Sequence, residues 1–82
     1  MMRKGQWQNI FEILAEIKSG YYEVSREARR AVDDPAFRME KFPTFTRQEM
    51  QLHYEIMWGR HERITEDIRA LKEVRDYYLG EK

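Results

Sequence analysis

The chain contains no cysteine and only two prolines among its 82 residues. The lack of cysteine excludes disulfide bonds, thiol nucleophiles and cysteine-ligated zinc, and gives no reason to expect an oxidising compartment. Fifteen basic residues balance fifteen acidic ones, so no basic excess attracts nucleic acid by counterion release. No apolar run resembles a signal peptide or reaches the roughly 20 residues of a membrane span. We therefore expect one soluble, unprocessed cytoplasmic domain over residues 1–82, with no membrane partner.

What the chain does have is helical periodicity. In its first part, apolar residues recur alternately three and four residues apart, which predicts a helix over residues 7–32 with a coiled-coil seam. The predicted seam residues are Trp7, Ile10, Leu14, Ile17, Tyr21, Val24, Ala28 and Ala31. The seam passes through Gly20 in register, so we expect a continuous helix there. Two alternatives remain open: a kink or break at Ser19 and Gly20, and a helix start at Asn9, which forms a capping-box pattern with Glu12.

The middle of the chain carries two helix-start signals. Asp34 followed by Pro35 is typical of an N-cap and first helical position, which predicts a short helical turn over residues 35–41. Thr46 with Glu49 three residues later forms a second capping box. A second long helix is therefore expected to begin at residue 47.

This helix is predicted to extend to residue 79, where Gly80 supplies a C-terminal stop. Its predicted seam residues are Met50, Tyr54, Met57, His61, Ile64, Ile68, Leu71 and Tyr78. The predicted fold class is all-α: a helical hairpin of two long antiparallel helices with a short helical turn in the connector.

Two helices shield only one side of each apolar stripe, so the other side needs a partner. The commonest solution is isologous association of two hairpins into a four-helix bundle. We therefore predict a homodimer. The candidate interface residues flank or lie on the seams: Ile13, Leu52, Ile56, Met57 and Ile64.

Few residues suit catalysis or metal binding. His53 and His61 are the only histidines and lie eight residues apart on one helix, too far for joint coordination. Glu49 and His53 lie four apart, but the Glu-x-x-His motif of carboxylate-bridged metal bundles is absent. No glycine-rich phosphate loop or Ser/His/Asp order is found. We expect no catalytic residues, no metal and no cofactor, so the chain is predicted not to be an enzyme.

Aromatic residues around the connector suggest a docking surface. Phe45 is placed to form a hydrophobic staple with Met50, but Phe42 has no such local role. Aromatic side chains bury large areas at low entropic cost in interfaces. Phe42, Phe45 and Trp58 are therefore our candidates for binding another protein, and the predicted function is a small interaction module such as an adaptor, inhibitor or assembly subunit.

The alternative is a small dimeric transcriptional regulator that binds DNA. Arg47, Gln48 and Gln51, at the start of the second long helix, are residue types that read base edges from a recognition helix. The nearby Glu49 and Glu55 would repel phosphates, and the zero net charge supplies no non-specific affinity. We therefore favour a protein partner over nucleic acid.

Overall fold

The computed structural model describes residues 3–80 and forms a helical hairpin. Its helices are α1 (Lys4–Asp33), α2 (Pro35–Lys41) and α3 (Arg47–Leu79). The long helices α1 and α3 pack antiparallel along a rod about 52 Å long, and α2 packs mainly against α1. The predicted all-α hairpin with a short helix in its connector is confirmed. Within residues 3–80, no helix combines the length and apolar character needed to cross a bilayer.

Helix α1 is continuous and begins before residue 7. It runs through Ser19 and Gly20 without interruption, so the alternative of a break there is wrong. The side-chain Oε1 of Gln6 accepts a hydrogen bond from the backbone N–H of Arg3 at 2.8 Å. This contact serves one of the free amides of the first turn, and the helix start considered at Asn9 is also wrong.

The predicted caps of α2 and α3 are confirmed. The Oδ1 of Asp34 accepts from the backbone N–H of Phe37 at 3.2 Å. At the start of α3, the Oγ1 of Thr46 accepts from the N–H of Glu49, and the Oε1 of Glu49 accepts from the N–H of Thr46, both at 3.1 Å. Gly80 ends α3 with φ of 72°, a left-handed conformation that favours glycine.

The tightest packing lies at the connector end of the hairpin. Small residues on α1 allow α2 and the start of α3 each to approach α1 closely. The buried cluster there consists of Ala28, Ala31, Val32, Phe37 and Met50, with Phe42 and Tyr54 packed against it.

The seam of α1 differs from the predicted one at Ile17 and Val24, whose places between the helices are taken by Lys18 and Ser25, whereas Ala31 is buried and Ile10 half-buried as predicted. The buried and half-buried residues at heptad spacing are Trp7, Phe11, Leu14, Lys18, Tyr21, Ser25, Ala28 and Val32. The prediction was wrong at Ile17 and Val24, which are 42% and 41% exposed, whereas Ser25 is 1% exposed. Ser25 satisfies its hydroxyl by donating to the backbone oxygen of Tyr22 at 2.8 Å. Lys18, half-buried, can bury its aliphatic stem while its ammonium stays in water.

The seam of α3 is as predicted except at its last residue. Tyr78 is 55% exposed, so that assignment was wrong. Leu79 is half-buried instead and lines a groove with Trp7, Phe11 and Arg75, where the last turn of α3 meets the first turns of α1. The guanidinium of Arg75 lies over the ring of Phe11, with its Cζ 5.1 Å from the centroid.

Candidate interaction surfaces

An apolar stripe on α1 faces solvent beside the seam. It consists of Ile10, Ile13, Ile17, Gly20 and Val24. The alternating spacings of three and four place these residues on one side of the helix. Ile13 is 55% exposed, so the stripe is open along most of its length.

A matching stripe on α3 lies on the same side of the hairpin. It consists of Ile56, Arg60, Arg63, Asp67, Ala70 and Val74. A shallow groove is lined by Ile17 and Tyr21 from α1 and by Arg60, Arg63 and Asp67 from α3. We call the two stripes together the open face. It is apolar towards both ends and charged near its middle on α3.

Helix α2 closes the open face at the connector end. Ala31 continues the α1 stripe seven residues beyond Val24, but it is fully buried in the cluster that contains Phe37 of α2. The Nη1 of Arg38 donates to the backbone oxygen of Ala31 at 3.1 Å, which fixes α2 against this end of α1. The open face therefore begins beyond the part of α1 that α2 covers.

The predicted dimer-interface residues divide between two locations. Ile13 and Ile56 lie on the open face, and Leu52 lies at its border with 58% exposure. Met57 and Ile64 lie on the seam between α1 and α3, where Ile64 is only 9% exposed. These two side chains therefore contribute first to the hairpin itself, and dimerisation stays a prediction.

The connector phenylalanines form a chain of ring contacts. Phe42 is half-buried, and its centroid lies 6.4 Å from that of Phe37 and 6.0 Å from that of Phe45. Phe45 is 39% exposed and also contacts His53, with centroids 6.3 Å apart. The contact that Phe42 lacked in the sequence is thus supplied by the end of the hairpin, while Phe45 presents the more accessible ring.

Trp58 lies on the flank opposite the open face. The residue is 36% exposed, and its ring stacks on Tyr54 at 6.5 Å and on His61 at 4.9 Å. The His61 ring lies 5.6 Å from that of Tyr22 on α1. The structure therefore does not bring Trp58 together with Phe42 and Phe45 into one docking surface.

The residues of the DNA-binding alternative lie in the first turns of α3. Arg47 and Gln48 are exposed, but the Nε2 of Gln51 donates to the Oε1 of Glu55 at 3.2 Å. Since α2 packs mainly against α1, α2 and α3 do not form the closely packed pair of a helix-turn-helix unit.

The described residues 3–80 contain no group of three or more histidine, aspartate or glutamate side chains placed to hold a metal ion. His53, one of the two histidines considered for such a role, instead contacts the Phe45 ring.

Reasoning from the sequence missed most of the open face. The seam prediction places Ile17 and Val24 between the helices, and no role is predicted for Arg60 or Val74. A second set of apolar residues, shifted from the seam but with the same heptad spacing, was the signal that could have revealed it.

The geometry defines the chain as an all-α helical hairpin with one side left open. Comparison with models of known protein families finds no match. Searches of curated proteins and of solved structures likewise find no significant match.

Proposed function

We propose that this chain is a non-enzymatic protein–protein interaction module, such as an adaptor, inhibitor or assembly subunit, that buries its open face in a partner protein. One observation carries this proposal. Lys18 and Ser25 occupy the seam, while their apolar neighbours Ile17 and Val24 face solvent.

This arrangement of α1 is costly for an isolated hairpin. Fully burying an isoleucine or valine side chain contributes about 1.5–3 kcal/mol relative to leaving it exposed. On the open face, Ile13, Ile17, Val24, Ile56 and Val74 are each at least 41% exposed. Apolar side chains exposed together along one face mark an interaction site, and a partner that covers them recovers the stabilisation that the hairpin alone leaves unused.

The charged centre of the face suits a specific partner. Arg60, Arg63 and Asp67 are exposed around the groove between the helices. Charges within an apolar interface contribute chiefly to specificity and orientation, because the wrong partner leaves them unpaired.

The proposal is tested by photo-crosslinking in cells that express the chain. A photoreactive residue placed at Ile56 should yield a covalent adduct with a protein. The same residue at Glu62, exposed on α3 outside the open face, is the matched control and should yield little. Failure of position 56 to crosslink any protein would overturn the proposed function.

A further inference from the structure

We propose that the partner of the open face is a second copy of this chain, seated across a two-fold axis that passes between Arg63 and Asp67. The two hairpins then lie face to face, with α3 antiparallel to the second α3 and α1 antiparallel to the second α1. This inference rests on the proposed function, because it names the occupant of the same face.

The α3 stripe is self-complementary about its midpoint. Its six residues are spaced four, three, four, three and four apart, a pattern that reads the same in both directions. When two such stripes run antiparallel about that midpoint, Ile56 faces Val74 of the second copy and Arg60 faces Ala70. The apolar ends therefore meet apolar ends, as an isologous interface requires.

Charge complementarity selects the same alignment. Arg63 faces Asp67 of the second copy, and the two-fold axis repeats this pair. Within residues 3–80, neither Arg63 nor Asp67 has an ion-pair or side-chain hydrogen-bond partner. Although they lie four apart on one helix, basic before acidic is the less favourable order, which leaves both charges available to another copy.

Four residues of the α1 stripe, Ile13, Ile17, Gly20 and Val24, are spaced four, three and four apart and are therefore also self-complementary, about the midpoint between Ile17 and Gly20. There, Ile13 faces Val24 of the second copy, and Ile17 faces Gly20. A glycine inside a helix costs about 1 kcal/mol relative to alanine, and a Cβ added at Gly20 would meet nothing within 4 Å in the hairpin. A facing isoleucine gives this glycine a packing role that the single chain does not.

The two midpoints lie at the same level of the hairpin. Tyr22 of α1 contacts His61 of α3, with ring centroids 5.6 Å apart. Because the helices are antiparallel, moving about four residues back from Tyr22 and four forward from His61 covers equal distances along the rod. These steps reach residues 18 and 65, which are within one residue of the two midpoints. A single two-fold axis therefore satisfies both stripes and produces a four-helix bundle.

The experiment exchanges charges across the axis. Self-association is measured by sedimentation equilibrium over a concentration series. The unmodified chain should be a dimer. Arg63→Asp and Asp67→Arg should each weaken the dimer at least about tenfold, because each places like charges opposite one another. An equimolar mixture of the two variants should recover it, since each aspartate then faces an arginine. Glu62→Arg is the control outside the face and should leave the dimer unchanged.

Disulfide trapping tests the alignment independently, because the chain has no cysteine of its own. A mixture of Ile56→Cys and Val74→Cys chains should form a mixed disulfide dimer on mild oxidation, whereas Ile56→Cys mixed with Ile13→Cys should not. The proposed axis is overturned if the chain is a dimer but the mixed charge variants do not recover association and the Ile56→Cys and Val74→Cys chains form no mixed disulfide. A monomeric chain whose position 56 crosslinks to a different protein overturns the second copy as partner and leaves the proposed function standing, and no adduct at all overturns both.

Discussion

The imidazole of His61 stacks on the indole of Trp58, with centroids 4.9 Å apart and ring planes inclined by 23°. The Tyr22 ring of α1 also lies close to this imidazole, with centroids 5.6 Å apart. The Nδ1 of His61 is buried and has no hydrogen-bond partner within residues 3–80. His61 therefore serves the seam through its ring, and one of its nitrogens is a cost to the fold.

The first prediction follows from that unsatisfied nitrogen. His61→Phe keeps an aromatic ring in contact with Trp58 and Tyr22 and removes the buried polar atom, so it should raise the free energy of unfolding by about 1 kcal/mol. Urea denaturation followed by circular dichroism measures the change. His53→Phe is the control and should give no comparable gain. A loss of stability in His61→Phe would indicate that the imidazole makes a hydrogen bond that the fold requires.

Phe42 is predicted to matter for stability because its ring packs against the buried cluster at the connector end. Phe42→Ala removes its contacts with Phe37 and Phe45 and should lower the free energy of unfolding by about 2 kcal/mol, less than a fully buried phenylalanine would. Met39→Ala is the matched control on α2, because Met39 is 64% exposed and its truncation should change stability by less than about 0.5 kcal/mol. Equal effects of the two substitutions in thermal unfolding would contradict a packing role for Phe42.

The capping box at the start of α3 gives a third prediction. Thr46→Ala removes the hydroxyl that accepts from the N–H of Glu49 and should lower the free energy of unfolding by about 1 kcal/mol. Thr46→Ser keeps an acceptor in the same place and should retain most of the stability. Denaturant midpoints of the two variants provide the measurement, and a Ser variant as unstable as the Ala variant would show that the hydrogen bond is not the source of the effect.

The caps were predictable because they depend on residues three positions apart. Asp34 bonds to Phe37 and Thr46 to Glu49, so local chemistry decides where these helices begin. The hairpin itself also follows from local information, since two helix-start signals mark the connector and both long helices are amphipathic.

The phase of α1 was not predictable in the same way. Ile17 and Lys18 are neighbours in sequence and only about 100° apart around the helix, as are Val24 and Ser25. Counting apolar residues favours Ile17 and Val24 as the seam residues. In the packed hairpin the second residue of each pair is the more buried one, and Ser25 is buried completely. Which side of α1 faces α3 depends on the side chains of both helices together, and a one-helix pattern does not contain that information.

The DNA-binding alternative predicts that affinity for DNA depends on the salt concentration. If Arg47 and its neighbours read DNA, affinity for a duplex should fall steeply as salt rises and should drop further in Gln51→Ala. We expect fluorescence anisotropy with mixed-sequence duplexes to show no such binding at moderate ionic strength, since the net charge is zero. Salt-sensitive binding that depends on Gln51 would favour the regulator over the protein-interaction module.

Substitutions at the two interior glycines distinguish the stability of the single hairpin from the stability that a second copy adds. A Cβ at either Gly20 or Gly59 would meet nothing within 4 Å in the single chain, so Gly→Ala at each should raise the stability of the isolated hairpin by about 1 kcal/mol through helix propensity. Only Gly20 lies on the open face. In urea titrations at low and high protein concentration, Gly59→Ala should keep its gain at both, whereas Gly20→Ala should lose part of its gain at high concentration because the new methyl meets Ile17 of a second copy. Equal gains for both variants at every concentration would contradict a close approach of the partner at Gly20.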